Sequence, residues 1–264
     1  MNYYPERGAC DRSGAPGIKK PLLVLRFIDL TLPTPEENLA LDEALLLALE
    51  EAARTGSRPE EALRFWESPV HFVALGAGGR LREEVDLEAC SLLGVQILRR
   101  ASGGGTVLQG SGCLNFTLVL SLDARAELRD VRRSYRTILG CAAEALRLGA
   151  EVRGTSDLAL EGRKVSGNAQ KRTRHALLHQ GTILWGLDIG LMARVLCEPE
   201  KQPAYRRGRS HAEFVQNVPL PAAEIKSRLA TAWGSTKPDG QFELPEIRRL
   251  VTEKYGNREW TERL

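Results

Sequence analysis

The stretch Leu98-Arg99-Arg100-Ala101-Ser102-Gly103-Gly104-Gly105-Thr106-Val107 joins two apolar segments of the chain. Its three consecutive glycines leave no side chain over the backbone, so their N–H groups can lie directly against a ligand. Successive N–H groups in such a turn form a concavity that binds anions. Arginines at its edge can hold a phosphate or carboxylate through paired hydrogen bonds. The same stretch is also compatible with a glycine-rich hairpin whose arginines are solvated.

On either side of this loop, predicted strands and helices follow one another without a regular alternation. Thr34-Pro35-Glu36-Glu37 has the pattern of a capping box and predicts a helix that runs to about Arg54. Further predicted elements are strands over 22–28 and 177–185 and helices over 84–93, 132–148, 221–233 and 244–255. Because a regular βαβ alternation is missing, the sequence predicts an α+β fold with a mixed central β-sheet and flanking helices.

Length and composition set the class of protein. The 264 residues suffice for one large domain, and 42% hydrophobic and 27% charged residues are ordinary for a soluble globular protein. We expect a disordered leader over 1–20 and a single domain over 21–264, closed by short helices and carrying no large accessory domain. A net charge of +3 is too small to indicate nucleic-acid binding. No apolar run reaches the roughly 20 residues of a membrane helix.

The cysteines indicate the compartment. The five of them are unevenly spaced and form no C-x-x-C pair, which argues against a zinc site or a redox pair. The polar N-terminus lacks the apolar core of a signal peptide. Reduced thiols and a cytoplasmic location are therefore predicted.

A second informative stretch runs from Asp157 to Gly167 and contains Gly162-Arg163-Lys164-Val165-Ser166. Side chains alternate across a strand, so Lys164 and Ser166 are predicted to share one face. A lysine fixed among polyanions stabilises charge that develops at a reacting phosphorus or carbonyl. Asp157 is a candidate ligand for Mg²⁺, which takes only one or two carboxylates. Together with the glycine loop, this stretch suits the activation of a carboxylic acid by a nucleotide.

Three polar residues interrupt the apolar face of the first predicted helix: Asn38, Asp42 and Glu43. They form either a solvated flank of the helix or a set of buried contacts that orients the glycine loop. The sequence leaves both interpretations open.

The motifs, taken in order, resemble the lipoate–protein ligase family, within the biotin/lipoate protein ligase catalytic domain superfamily. Arg99-Arg100-Ala101-Ser102-Gly103-Gly104-Gly105-Thr106-Val107 is similar to the family's R-R-x-S-G-G-G-x-V signature. Asp157-Leu158 with Gly162 to Ala169 resembles its N-D-L…G-R-K-V-S-G-x-A block, and His179-Gln180-Gly181-Thr182-Ile183-Leu184 resembles H-H-G-T-L-L. The resemblance covers roughly residues 26 to 185. Departures from it include Gln109-Gly110, Ser156 and Gln180.

The resemblance implies a mixed α/β catalytic domain that binds ATP, Mg²⁺ and lipoate or octanoate. An acyl-adenylate would form and pass its acyl group to a lysine of a lipoyl domain, with Lys164 contacting the reacting oxygens. Either another chain would supply the accessory domain of the large bacterial ligases, or this protein would not perform the activation step itself. The residues implied in binding are Arg100, Ser102, Gly103, Gly104, Gly105, Asp157, Ser166, Gly167, His179, Gly181 and Thr182, with Asp157 also the candidate magnesium ligand.

Three alternatives remain. An acyltransferase of the same superfamily would move octanoyl or lipoyl from a carrier through a cysteine thioester. Such enzymes place that cysteine shortly before the G-R-K-V block, where Glu151 to Ser156 holds none. Cys113 is interpreted mainly as a packed residue, and Cys141 and Cys197 as structural. A non-catalytic binder of lipoyl-AMP is the second alternative. A basic surface over 163–174 and 206–209 is the third, and it suits docking of an acidic lipoyl domain better than nucleic acid.

Overall fold

The computed structural model describes residues 25–58, 60–235 and 245–264. The predicted leader over 1–20 lies outside these residues. The strands are β1 Arg26–Asp29, β2 Ala62–Trp66, β3 Phe72–Leu75, β4 Gln96–Arg99, β5 Val107–Gln109, β6 Cys113–Ser121, β7 Glu151–Arg153, β8 Asp157–Leu160, β9 Arg163–Arg172 and β10 Ala176–Leu184. The helices are α1 Pro35–Thr55, α2 Leu81–Glu84, α3 Leu87–Leu93, α4 Val131–Leu146, α5 Ile189–Val195, α6 His211–Phe214, α7 Ala222–Ala232, α8 Pro245–Leu250 and α9 Arg258–Glu262.

The strands form two sheets. Seven of them lie in the order β1-β2-β6-β10-β9-β8-β7, and the other three in the order β4-β3-β5. In the larger sheet, β1 and β2 run parallel, while β6, β10, β9, β8 and β7 pair antiparallel with their neighbours. The predicted α+β class with a mixed sheet is confirmed. The glycine loop, however, does not close a hairpin, because β4 and β5 each pair with β3 instead of with each other.

Helices cover both faces of the larger sheet. Leu114, Phe116 and Leu118 of β6 point into the core that contains α4 and α7. The next residue, Val119, faces the opposite way and packs with Leu46 of α1. Successive side chains of a strand point to opposite faces, so β6 supplies both cores. The α1 face also carries the polar residues that matter for the site.

Local sequence signals explain most helix ends. Thr34 caps α1 through a capping box with Glu37, as predicted, and Gly56 ends it in the left-handed conformation with φ 74°. The predicted helix over 84–93 is wrong in its start. The Asp86 side chain accepts from the Ala89 N–H and begins α3 separately from α2. Helix α4 ends at Arg147, with φ 52°, two residues before the glycine expected to end it. Among the described residues, no helix is both long and apolar enough to span a membrane.

Candidate functional site

One cavity of about 430 Å³ lies on the α1 face of the larger sheet, between that sheet and the glycine loop. Its polar wall includes Lys164, Asp157, Gly104 and Gly105. Its apolar wall comprises Leu108, Leu184, Met192, Leu196 and Phe214. A cavity of this size, lined by both polar and apolar side chains, is typical of a site for a small amphipathic ligand.

Lys164 and Asp157 form the charged centre of the cavity. The Lys164 Nζ lies 2.8 Å from Asp157 Oδ1, and the lysine side chain keeps 26% of its surface exposed. The hydroxyl of Tyr205 donates to Asp157 Oδ2 at 2.8 Å. Burial, followed by the neighbouring Asp157 charge, raises the pKa of Tyr205, so this hydroxyl keeps its proton. The ammonium group is therefore fixed in position while it still faces the cavity.

This arrangement bears on the predicted magnesium site. Both carboxylate oxygens of Asp157 are engaged, one by an ammonium group and the other by a hydroxyl. No cluster of three or more potential metal ligands occurs in the described part of the chain. Asp157 as placed does not fit a protein-bound magnesium ion, because a metal would have to displace Lys164.

The glycine loop lines the cavity. Its two arginines, however, donate their hydrogen bonds to the protein backbone and not toward a ligand. Arg100 donates to the carbonyls of Ala74, Gly103 and Gly105 at 2.8, 2.5 and 2.8 Å. Burial lowers the pKa of its guanidinium to about 10, still high enough to stay charged at neutral pH. The interpretation of Arg100 as a bidentate phosphate ligand is therefore wrong. Its guanidinium donates instead to backbone carbonyls of β3 and of the glycine loop.

Arg99 points away from the cavity. Its guanidinium donates to the Thr261 carbonyl at 3.0 and 2.8 Å and to the Gly79 carbonyl at 2.7 Å. The indole of Trp260 donates back to the Arg99 carbonyl at 2.7 Å. Arg99 thus fastens the C-terminal helix behind the glycine loop. In the described residues, the N–H groups of Gly104 and Gly105 donate to no protein group, which leaves them available to a ligand oxygen.

A buried polar chain connects helix α1 to the glycine loop. Ser102 Oγ donates to Gln180 Oε1 at 2.6 Å, and Gln180 Nε2 donates to Asp42 Oδ2 at 2.7 Å. Asp42 is also paired with Arg64 at 2.6 Å. Asn38 and Asp42 are both buried. The interpretation of these residues as buried contacts is confirmed and the solvated flank is excluded, and it is Asp42 that reaches the loop, through Gln180.

Glu43, the third polar residue of that helix, fastens the C-terminal segment instead. It accepts from Lys254 Nζ at 2.8 and 2.7 Å, from Tyr255 Oη at 2.7 Å and from Lys171. Burial raises the pKa of Glu43, but the hydrogen bonds from these partners together outweigh it and leave the pKa below its ordinary value. The carboxylate is therefore ionised, and its hydrogen bonds connect α1 to β9 and to the C-terminal segment.

The predicted binding residues divide into two groups. Arg100, Gly104, Gly105, Asp157, Lys164, Gly167 and Thr182 line the cavity. Ser102, Gly103, Ser166, His179 and Gly181 are not part of that wall. Their placement follows from strand geometry: Gln180 and Thr182 face the α1 side, so His179 and Gly181 between them face the α4 side.

Ser166 leaves the wall because of an irregularity between β8 and β9. Lys164 pairs with Ala159, and Ser166 pairs with Leu158, which leaves one extra residue on β9. The expectation that Lys164 and Ser166 share one face is wrong for this reason, since a bulge breaks the alternation. Ser166 Oγ accepts from Asn168 Nδ2 at 3.0 Å instead.

His179 supports the wall from behind. Its Nε2 lies 3.1 Å from Asn168 Oδ1 and its Nδ1 lies 3.1 Å from Gln170 Nε2. An amide oxygen can only accept, so Nε2 carries the proton and Nδ1 accepts. Burial lowers the pKa of His179 to about 3, which keeps the ring neutral. Its effect on the cavity passes through Asn168, which also donates to the Ser156 carbonyl at 2.9 Å.

Sequence reasoning missed the cavity residues that come from the segment after β10. Cys197, Arg206 and His211 all line the cavity, and Tyr205 reaches Asp157 from the same segment. Arg206 was assigned to a basic surface, but it is buried against the Phe214 ring and paired with Glu198. This segment has little hydrophobic periodicity and contains several arginines and prolines. Such a pattern does not predict that its side chains line a cavity.

The fold places the protein in a known structural class. A chain from the structure of an archaeal lipoylation system, a bi-partite lipoate protein ligase and its E2 lipoyl domain from Thermoplasma acidophilum, matches with a TM-score of 0.76 and 25% identity. The match covers 91% of this chain and 97% of that one. The described residues therefore adopt the lipoate-protein-ligase fold.

The particular family follows from the sequence comparison. Residues 34–231 match the family model described as lipoyl protein ligase A/B catalytic domain. This chain is 30% identical to octanoyltransferase LipM of Carboxydothermus hydrogenoformans, over 89% of this chain and 97% of the relative. It is 26% identical to lipoate–protein ligase 1 of Staphylococcus aureus, over 84% and 71%. The chain belongs to the lipoyl protein ligase A/B catalytic domain family, and the predicted resemblance is confirmed.

Proposed function

We propose that the protein transfers an octanoyl or lipoyl group from a thioester donor to a lysine of a lipoyl domain. The observation that carries the proposal is the placement of the Lys164 ammonium, 2.8 Å from Asp157, in the wall of a cavity that is also lined by apolar side chains. The relatives named octanoyltransferase support thioester transfer over the ATP-dependent route that the motifs alone favoured.

The apolar wall suits the acyl chain. Leu108, Leu184 and Met192 offer no hydrogen-bonding group to a ligand, and a medium-length chain gains roughly 0.8 kcal/mol per buried methylene. Octanoyl and lipoyl differ only at the far end of the chain, so both fit this description. The carbonyl end would then lie at the polar wall.

The polar wall suits the reacting carbonyl. When a nucleophile adds to a thioester, negative charge develops on the carbonyl oxygen, and preorganised donors stabilise it. Lys164 supplies a positive charge held by Asp157, and Gly104 and Gly105 supply N–H groups. Asp157 holds the Lys164 ammonium and Arg100 holds the glycine loop, so little reorganisation would accompany the reaction.

ATP-dependent formation of an acyl-adenylate is the second candidate. The free N–H groups of the glycine loop favour it, since they would hold a phosphate as readily as a carbonyl oxygen. The relative named lipoate–protein ligase favours it as well. On this route Lys164 would face the phosphate and the carbonyl oxygen together, and a separate chain could complete the enzyme, as the bi-partite archaeal system suggests.

Two donor mixtures distinguish the candidates. Purified protein and a lipoyl domain are incubated either with an octanoyl thioester of a carrier protein or with ATP, Mg²⁺ and free octanoate or lipoate. The intact mass of the lipoyl domain is followed in both mixtures. We expect acylation with the thioester and none with ATP and the free acid. Acylation with ATP and acid alone would replace the first candidate by the second, and no acylation in either mixture contradicts both.

A further inference from the structure

Among the described residues, one histidine lies in the cavity wall. His71 and His175 are not part of that wall, and the His179 ring stacks on Phe116 on the opposite face of the larger sheet. His211, the first residue of α6, does line the cavity and is 8% exposed. An imidazole in this position can exchange a proton with a ligand.

A hydrogen bond fixes which ring nitrogen of His211 carries the proton. Its Nε2 lies 3.3 Å from the carbonyl oxygen of Cys197, and a carbonyl oxygen can only accept. Nε2 therefore carries the proton, and Nδ1 keeps its lone pair. In the described part of the chain, Nδ1 has no hydrogen-bond partner, and it is not sealed from solvent. The basic nitrogen of the ring is therefore free to meet a proton donor.

The surroundings of His211 keep the ring neutral at rest and support it once it is charged. Burial lowers its pKa below 6.5, as do the charges of Arg206 and Lys164, while the Cys197 carbonyl and Glu198 oppose this change. Glu198 Oε1 lies 3.9 Å from Nε2 and would stabilise an imidazolium. The charged residues at this junction of elements are Glu198, Arg206 and Arg209 in the preceding segment, Glu213 on α6, Arg163 and Lys164 at the start of β9, and Arg194 on α5.

The other titratable groups of the described cavity wall are less suited to accept a proton. Both carboxylate oxygens of Asp157 are engaged. Those of Glu84 accept from the Arg80 N–H at 2.8 Å and from the Thr106 hydroxyl at 2.6 Å. Burial raises the pKa of both thiols in the wall, so they keep their protons. His211 is left as the neutral base with a free lone pair.

The backbone places this base beside the catalytic lysine. The Val215 N–H donates to the His211 carbonyl at 3.0 Å and closes one turn of α6. Val215 forms a parallel bridge with Lys164, and the Gln216 N–H donates to the Lys164 carbonyl at 2.9 Å. The imidazole and the ammonium group therefore reach one cavity from two adjoining elements.

We propose that His211 is the general base that takes a proton from the attacking amine of the acceptor lysine; this inference rests on the proposed acyl transfer. The acceptor enters as its neutral amine, and its nitrogen attacks the acyl carbon of the thioester. As the C–N bond forms, one N–H proton passes to His211 Nδ1. The donor's C–S bond then breaks, and the departing sulfur takes this proton from Nδ1. The products are an amide and a thiol, and the ring is neutral again.

The first variant is His211→Gln, because a glutamine side chain can still donate to the Cys197 carbonyl but cannot act as a base. We expect kcat for acylation of the lipoyl domain to fall about 100-fold, with little change in KM for the lipoyl domain or in the melting temperature. His175→Gln, at a histidine paired with Asp123 outside the cavity, is the matched control and should transfer at the normal rate. Equal kcat values for His211→Gln and the unmodified protein would overturn the proposal.

The pH profile separates proton transfer from a packing role and needs only the unmodified protein. At saturating lipoyl domain, log kcat should rise with pH with a slope of about 2 below the pKa of His211 and about 1 above it, because the ring and the acceptor amine must both be neutral. The break in slope should lie below pH 6.5. His211→Gln should show a slope of about 1 throughout. A slope of about 1 across the whole range in the unmodified protein contradicts the assignment.

Added imidazole gives a third measurement. His211→Ala leaves room for a free imidazole, which should raise its kcat in proportion to the imidazole concentration and leave the unmodified protein unaffected. No acceleration of His211→Ala by imidazole would count against the proposal.

These outcomes differ from a failure of the proposed function. If the unmodified protein acylates the lipoyl domain from the thioester and His211→Gln does so equally fast, only the assignment of the base fails. If the unmodified protein transfers no octanoyl group from the thioester, the proposed transfer itself fails and this inference falls with it.

Discussion

At the scale of single residues, the site depends on charged side chains that are held in place by ion pairs or by hydrogen bonds to neutral groups. Lys164 is held by Asp157, and Asp157 is held in turn by Tyr205. Arg100 is held by one carbonyl of β3 and two of the glycine loop that it supports. A charge that is fixed before the reaction stabilises a developing opposite charge without the cost of reorientation. This is the reason that the lysine is expected to dominate catalysis.

Lys164→Ala is predicted to lower the transfer rate about 100-fold or more, the usual cost of removing one preorganised donor. Stability should also fall, by about 1–3 kcal/mol, because the Asp157 side chain is only 8% exposed and loses its ion-pair partner. Initial rates of lipoyl-domain acylation and a thermal melt measure the two quantities. Lys226→Ala, which removes a surface lysine paired with Asp29, serves as the control. A Lys164→Ala protein with normal rates would contradict the role given to the ammonium group.

His179 is predicted to stay neutral down to acidic pH. Folding lowers the pKa of His179 from its ordinary value of 6.5 to about 3. Between these two pH values, the unfolded chain therefore binds about one more proton than the folded protein. The free energy of unfolding therefore falls as the pH decreases from 6.5 toward 3. Denaturant unfolding at several pH values should show this loss, and His179→Gln should show a shallower one. NMR of the His179 ring that reports protonation near pH 6 would contradict the prediction.

At the scale of elements, two loops contact each other so closely that side chains are excluded between them. A Cβ added at Gly76 would lie 2.0 Å from the Gly104 carbonyl oxygen, whereas a Cβ at Gly78 would meet nothing within 4 Å. Gly104 itself has φ +85°, a conformation that favours glycine. The loop after β3 therefore sets the position of the glycine loop after β4.

Gly76→Ala should displace the Gly104 carbonyl and lower the transfer rate about 100-fold, the effect expected of a misplacement near 1 Å. Gly78→Ala, two residues away in the same turn, should leave the rate unchanged. Steady-state kinetics on both variants test the pair. Equal rates for the two would mean that the contact between the loops does not position the site.

At the scale of the whole molecule, the last helices hold the first helix and the glycine loop together. Glu43 of α1 accepts from Lys254 and Tyr255, and Arg99 of β4 donates to the Thr261 carbonyl. The Lys254 ammonium also lies 4.2 Å from the centre of the Trp260 ring. The segment from Lys254 to Thr261 thus links α1 to β4, the strand that leads into the glycine loop.

Glu43→Gln is predicted to destabilise the protein by about 2–3 kcal/mol, because Lys254 and Lys171 lose a common buried partner. The pKa of Glu43 lies below its ordinary value of 4.5. Its contribution is therefore complete above pH 4.5 and is lost as the pH falls through the lower folded value. Unfolding at pH 7 and at pH 4 measures both effects. Tyr255→Phe, which removes only one hydrogen bond, should cost about 1 kcal/mol. A Glu43→Gln protein as stable as the original would contradict this account.

Short-range patterns in the sequence determined the elements and the two central motifs. The capping box at Thr34, the glycine loop and the Lys164 block are each written within about a dozen residues, and the structure brings loop and lysine to one cavity. Alternation along β10 also contained the information that Gln180 and His179 face opposite ways. These features depend on local backbone geometry, which neighbouring residues control.

Only the tertiary structure decided which side chains complete the site. Arg100 turned inward because buried carbonyls must be satisfied, and Ser166 left the wall because one extra residue enters β9. Cys197 and His211 reach the cavity from a segment without periodicity, more than 30 residues after Lys164. Contacts across such separations are set by how whole elements pack, and no local pattern in the sequence encodes them.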